Sequence, residues 1–297
     1  MDIEKINPFL YNLEIDYMYH LGLNSKMDLN NIFGSIKFVI FTRSNDNAAI
    51  IAHEIAKKWY KIEVDDFYFK PIFKTERFNL YKIGFILIIS HGIGMPSALI
   101  CLNEMTKLLK YLKIADAVFI NIQPAGGLAV PAGSVVIIEE ALNTKLEPKF
   151  TSIECGVEYE YLTYFNKGLA QTILEFSNKY NSYNELKLNI IKGKSISTND
   201  FYEEQARLDG FLIPEFTKQE KDLYLQQAYK AGVYSIDMYS TAFAGFCNQL
   251  NIRAIAINVT MGDRLINDEI LINREEQLKA VRNASVFIFD CITQKVF

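Results

Sequence analysis

The stretch Ile120-Asn121-Ile122-Gln123-Pro124-Ala125-Gly126-Gly127-Leu128 decides how this chain is read. It is fed by an apolar, β-branched run, Ala117 to Ile122, which has the character of a buried strand. Pro124 and the Gly126-Gly127 pair predict a turn at its end, where backbone can approach a ligand closely. In open α/β folds, ligands sit outside the carboxyl ends of strands, so a strand running into such a turn is the first place to look for a site.

Similar units lie on both sides. Ile36 to Phe41 reads as a buried strand, followed by the polar turn Thr42-Arg43-Ser44-Asn45-Asp46-Asn47, rich in helix N-cap types. A helix over Ala48 to Tyr60 is predicted from the spacing of Ile51, Ile55 and Trp59. Phe85 to Ser90 is a second apolar strand; His91-Gly92-Ile93-Gly94 turns, and Pro96 opens a helix with Leu102, Met105, Leu109 and Leu112 on its apolar face. Ser134 to Ile138 and Ala254 to Thr260 complete the strong strands, and Arg274 to Ile292 reads as a closing helix. Asn7 to Asn31 is irregular. Beyond Thr144 the pattern loosens, with a polar stretch from Ser195 to Gly210, a charged helix over Lys218 to Ala231 and an apolar helix ending at Leu250. Alternating strand, turn and helix predicts an α/β fold with a parallel or mixed sheet. With no linker or repeat, residues 1–297 are expected to form one domain.

Composition narrows the function. The chain has 297 residues, 50% of them hydrophobic and 22% charged, with a net charge of −4 and no basic run, which argues against a nucleic-acid partner. No apolar run is long enough for a membrane span and the N-terminus lacks a signal-peptide layout, so a cytoplasmic location is expected. Cys101, Cys155, Cys247 and Cys291 are far apart and mostly within apolar segments, as buried reduced thiols would be. The three histidines lack metal-ligand spacing, so neither a metal nor another cofactor is expected.

Four motifs, in order, resemble uridine phosphorylase of the eukaryotic type, a member of the nucleoside phosphorylase family. They are Ser90-His91-Gly92-Ile93-Gly94-Met95-Pro96-Ser97, the Ile122–Leu128 stretch, Phe201-Tyr202-x-x-Gln205-x-Arg207-Leu-Asp209-Gly210, and Val259-Thr260-x-x-Asp263-Arg264-Leu265. The resemblance spans about Tyr19 to Asp268. It implies a three-layer α/β/α sandwich around a mixed sheet, a homodimer sharing two sites, and cleavage of uridine by phosphate to uracil and ribose 1-phosphate. It implies that Phe201, Gln205 and Arg207 hold uracil, that Met238 packs under the ribose, and that His20 reaches a neighbouring subunit's ribose 5′-hydroxyl. Arg77 matches an arginine that a partner subunit contributes to phosphate. The chemistry suits these residue types: negative charge develops on the departing uracil, and donors must strengthen with it.

The departures fall on the phosphate and ribose positions. The family's Arg-Ile-Gly-Thr is Asn121-Ile122-Gln123-Pro124 here, so a fixed positive charge, a close backbone approach and a hydroxyl with its amide are gone. A second phosphate arginine has become Asn47, next to Asp46, and the family's ribose-holding glutamate is Tyr239. Each lost hydrogen bond to a charged group is worth roughly 1.5–3 kcal/mol, so losing several implies on the order of a thousandfold in rate. Phosphorolysis is therefore expected to be weak or lost. The alternatives are an active phosphorylase in which Arg43, Arg77 and Gln123 rebuild the anion site, a non-catalytic nucleoside-binding paralogue, or a nucleosidase using water in place of phosphate. Asp263 is the acid available for a purine preference, against which Gln205 and Arg207 favour pyrimidine.

Overall fold

A computed structural model describes residues 1–62, 69–184, 187–270 and 272–297. The strands are β1 (Tyr17–Met18), β2 (Leu23–Asn24), β3 (Phe38–Thr42), β4 (Phe73–Lys74), β5 (Asn79–Ile83), β6 (Ile86–Ser90), β7 (Val118–Gly127), β8 (Val135–Leu142), β9 (Lys149–Glu154), β10 (Val157–Leu162), β11 (Ile190–Ser197), β12 (Val233–Asp237) and β13 (Ala254–Asp263). Between them lie helices α1 (Leu29–Phe33), α2 (Asn45–Tyr60), α3 (Met95–Tyr111), α4 (Lys167–Tyr183), α5 (Lys218–Lys230), α6 (Ser240–Gln249) and α7 (Arg274–Thr293).

Nine strands form one mixed sheet in the order β12-β11-β8-β13-β7-β3-β6-β5-β4. Strand β7 lies between β3 and β13, parallel to both, and every residue from Val118 to Ala125 is buried. Helices α2 and α4 both pack on α7, the latter through Phe176 and Tyr180 against Phe287. Helix α3 packs on α6, the other helical layer. The fold is thus the three-layer α/β/α arrangement with a mixed central sheet that the sequence implied. Among the described residues no helix is long and apolar enough to cross a membrane.

The sheet's polarity places the site. Strands β3, β6, β7, β12 and β13 run into Arg43, His91, Gly126, Asp237 and Asp263 at one edge, where α2, α3 and α6 begin. Helix α2 starts at Asn45, three residues before the predicted Ala48, because the Ser44 hydroxyl accepts the Asn47 amide and caps it. Helix α3 opens with Pro96 in its first turn, as anticipated.

The predicted Gly-Gly turn is not there. Strand β7 continues through Pro124, Gly126 and Gly127, pairing with β13 to Ala125 and, after a register shift, again at Gly127, while Gly126 and Gly127 also pair with β12 in antiparallel fashion. The glycines answer a packing demand instead. A Cβ at Gly127 would lie 2.5 Å from the Gly262 carbonyl oxygen, and one at Gly126 would lie 3.3 Å from Arg264 Cγ. Three further expectations change. Ile190–Ser197 is a strand, so the polar stretch from Ser195 begins inside the sheet. Cys155 is exposed at the β9–β10 hairpin with φ of +50°, whereas the other three cysteines are buried. The N-terminal stretch expected to be irregular carries the short β1–β2 hairpin and α1.

Candidate functional site

At the carboxyl edge of the sheet a cleft is lined by Arg43, Gln123, Pro124, Phe201, Gln205, Arg207, Met238 and Tyr239, with Arg264 and Asp268 on its far wall. Eight of the sequence-derived site residues therefore meet in one place. Asn121 and Asn47 are buried and do not line the cleft, and neither do His20 and Arg77.

One side is built from ion-paired cations. Arg207, in the loop after β11, donates through Nε and Nη2 to Asp209 at 2.8 and 2.5 Å, and its guanidinium covers the Phe201 ring at 4.5 Å. The aromatic face expected for a base is thus shared with an arginine. Arg264, at the end of β13, donates to Asp268 at 3.0 Å and to the Gln205 carbonyl at 2.7 Å. Lys221 of α5 also donates to Asp268, at 2.6 Å. Burial opposes charge on Asp268, but Lys221, the Leu208 amide and Arg264 outweigh it and lower its pKa. Burial likewise lowers the pKa of Arg264, which Asp268 resists; an arginine stays charged through such a shift.

This scaffold orients the Gln205 amide. Its Nε2 donates to Thr198 Oγ1 at 3.2 Å and its Oε1 accepts from Arg264 Nη1 at 3.5 Å. One N–H and one lone pair remain, the complement of a donor–acceptor edge such as a pyrimidine carries.

The other side is polar but almost uncharged. The Tyr239 hydroxyl donates to Asn121 Oδ1, and the Tyr239 ring meets His91 edge-on at 4.2 Å. Burial and then Asp237 push the phenol pKa well up, against Asn121 and Arg43, so Tyr239 is neutral. Burial lowers the pKa of His91 to about 3, so this ring is neutral too. Gln123 Nε2 reaches Ser240 Oγ at 3.5 Å. Thr42 Oγ1, both amide atoms of Asn47, both ring nitrogens of His91 and Asn121 Nδ2 are buried without a protein partner. These atoms offer hydrogen bonds and no charge. Arg43 lines the cleft without an ion-pair partner among the described residues; burial lowers its pKa, Tyr239 raises it and Arg274 lowers it. Asp46 is engaged elsewhere, by Arg274 at 2.6 Å.

The sequence reading missed Asp237, the last residue of β12 and part of the cleft wall. Its Oδ1 accepts the amides of Tyr239 and Ser240 at 3.0 and 2.9 Å. Its Oδ2 accepts Ser195 Oγ and Asn258 Nδ2, both at 2.8 Å, and Ser240 Oγ. A buried carboxylate is here balanced by five donors rather than a cation. Its signal was one of position, an acid next to Met238 just before an apolar helix. Asp263, the acid considered for purine, accepts the Ala129 and Leu265 amides at 2.9 and 3.0 Å and does not line the cleft.

His20 and Arg77 sit together on another face. Thr75, two residues before Arg77, donates to the His20 carbonyl at 2.8 Å. Tyr17, Tyr19 and Ile72, in the same two segments of the chain, are exposed.

Comparison with known proteins fits this geometry. The profile of the phosphorylase superfamily matches residues 37–293. Uridine phosphorylase A of Schistosoma mansoni is 36% identical over 283 residues, which cover 91% of this chain and 89% of that one. The chain belongs to the uridine phosphorylase family. The inactive uridine phosphorylase B of Schistosoma mansoni is 34% identical over 279 residues, again covering 91% of this chain and 89% of the other. Among solved structures, the Schistosoma mansoni uridine phosphorylase in complex with 5-fluorouracil superposes with a TM-score of 0.90 at 32% identity, covering 98% of both chains.

Proposed function

We propose that this uridine phosphorylase homologue binds a pyrimidine base or nucleoside but performs phosphorolysis weakly or not at all. The observation that carries the reading is the Tyr239–Asn121 hydrogen bond. It ties together the two positions at which the family places a ribose-binding carboxylate and a phosphate-binding cation. Phosphate needs charge, and the neutral groups at that end of the cleft supply too little of it. The base end keeps Gln205, braced by Arg264 and Asp268, and Arg207, paired with Asp209. That a relative is crystallised with 5-fluorouracil supports a pyrimidine ligand. In this reading Phe201, Gln205 and Arg207 hold the base, while Met238 and Tyr239 face the sugar. The protein needs no cofactor, has phosphate as co-substrate for any residual turnover, and acts in cytoplasmic pyrimidine salvage.

A homodimer completes the site. His20 and Arg77 lie outside their own chain's cleft, on segments that also expose Tyr17, Tyr19 and Ile72, which suits docking against a second copy. The second reading is an active phosphorylase. Arg43, a cation in the cleft with no ion-pair partner among the described residues, favours it. Uracil release from uridine, measured across a phosphate titration that includes zero, separates them. Little or no release, together with calorimetric uracil binding, is expected. Saturable phosphate-dependent release at an ordinary enzymatic rate would establish the rebuilt anion site instead. Release independent of phosphate would make the protein a nucleosidase.

A further inference from the structure

We infer that Glu104 is a positioning residue that fixes the tautomer of His20, so that Nε2 presents a lone pair to a hydroxyl group of the ligand. The inference rests on the reading above in which His20 completes a second copy's cleft. Glu104 lies on α3 and is 7% exposed. Its carboxylate accepts the His20 amide at 2.9 and 3.1 Å, the Leu21 amide at 2.9 Å, and contacts His20 Nδ1 at 2.7 Å. The nearest lysine on the same helix, Lys107, is committed to Asp16 at 2.5 Å. A carboxylate already taking two amide protons is an acceptor, so the hydrogen in the contact with the ring is on Nδ1. In the neutral ring Nε2 is then an acceptor, and it has no partner among the described residues. The group that suits it is a hydroxyl donor, as a ribose carries and a free base lacks.

The same arrangement binds His20 to the segment that bears Arg77. Thr75 Oγ1 donates to the His20 carbonyl at 2.8 Å and accepts the Phe78 amide at 3.0 Å. The Phe78 ring lies 5.9 Å from the imidazole. Gly22, with φ of +67°, lets the β1–β2 turn close over Thr75, whose Cγ2 is 3.5 Å from where a Cβ would be. Glu104 thus anchors a unit on which His20 and Arg77 keep a fixed relation.

The test has a ligand-free arm and a ligand arm. Imidazole nitrogen-15 shifts, with the His20 signals identified by their loss in His20→Gln, are expected to show protonated Nδ1 and bare Nε2. In Glu104→Gln they move towards the Nε2-protonated form. In calorimetry Glu104→Gln is expected to weaken uridine about tenfold, to leave uracil and 5′-deoxyuridine unchanged, and to add nothing to His20→Gln. If the fold does not tolerate Glu104→Gln, Glu104→Asp, which keeps the charge but withdraws it by one methylene, gives the same readouts. An unchanged tautomer and unchanged uridine affinity, with His20→Gln still weakening uridine, would overturn the role of Glu104. Uridine affinity unaffected by His20→Gln would overturn the two-chain reading, and the tautomer shift would then mark Glu104 as a structural anchor only.

Discussion

The base end and the phosphate end of the cleft are both buried and both polar, yet they handle charge in opposite ways. At the base end two arginines and a lysine are met by Asp209 and Asp268, so cations are retained at the cost of building partners for them. At the phosphate end Asn47, Asn121, His91 and Tyr239 carry no charge, and several of their atoms lack any protein partner. Under the proposed function, the end with paired cations reads the ligand's identity, and the end with neutral side chains is the one that would have to bring in phosphate. In this reading, recognition and chemistry rest on separable sets of residues.

The largest effect should come from undoing that difference. Asn121→Arg combined with Tyr239→Glu restores the cation and the carboxylate together; either alone would bury an unpaired charge. With Gln123→Gly and Pro124→Thr added, phosphate-dependent uracil release is expected to rise on the order of a thousandfold, the sum of several charged hydrogen bonds after discounting for non-additivity. Initial rates across a phosphate titration measure it. A folded quadruple variant with unchanged release would show that the phosphate end is not what limits this protein.

Next in size is the brace of the base end. Arg264→Ala removes the donor to Asp268 and to the Gln205 carbonyl, leaving a buried carboxylate with Lys221 and the Leu208 amide. A loss of about 3 kcal/mol in unfolding free energy is expected, together with weaker uracil binding as Gln205 loses its orientation. Denaturant unfolding and calorimetry read the two effects separately. A stability loss with undiminished uracil affinity would separate Gln205 from the brace.

How far the sequence disclosed this depends on the range of each interaction. The β-branched runs that became β3, β6, β7 and β13 were legible because a strand buried on both faces is apolar along its whole length. Gly126 and Gly127 were misread because glycine serves both sharp turns and close packing, and only the neighbouring strand and Arg264 show which applies. Gln205 and Arg207 share one short loop, so their spacing survives in the sequence. Asp237 and Glu104 did not stand out, since their partners Ser195 and His20 are 42 and 84 residues away. A lone acid carries no pattern until the fold supplies its donors.

The phosphate end also has a pH signature of its own, set by a histidine rather than a carboxylate. Folded His91 stays neutral down to about 3, whereas its ordinary value is 6.5. Below about 6.5 the unfolded chain takes up a proton that the folded chain refuses, so acid favours unfolding by roughly 1.4 kcal/mol per pH unit until the folded value is reached. That stability is fully present above 6.5 and is lost as pH falls towards 3. His91→Gln removes the titration, so its unfolding free energy, followed by denaturant at successive pH values, should fall less steeply than that of the unmodified chain over this window. Equal slopes would mean that the ring is not held neutral.

The smallest effect isolates the bond on which the functional reading rests. Tyr239→Phe removes the hydroxyl but keeps the ring on His91, so packing changes little. Asn121 Oδ1 then loses its donor in a fully buried position and joins its own Nδ2 among the unpaired atoms. A cost of about 1–2 kcal/mol in stability follows from leaving a buried acceptor unmade. Asn121→Leu should be milder than that and should remove the penalty when combined with Tyr239→Phe, because an apolar pair leaves nothing unsatisfied. Neither change should restore phosphate turnover, since neither adds charge. A Tyr239→Phe protein that gained phosphate-dependent activity would show that the hydroxyl blocks the anion site by occupying it, and that Arg43 alone suffices once the way is clear.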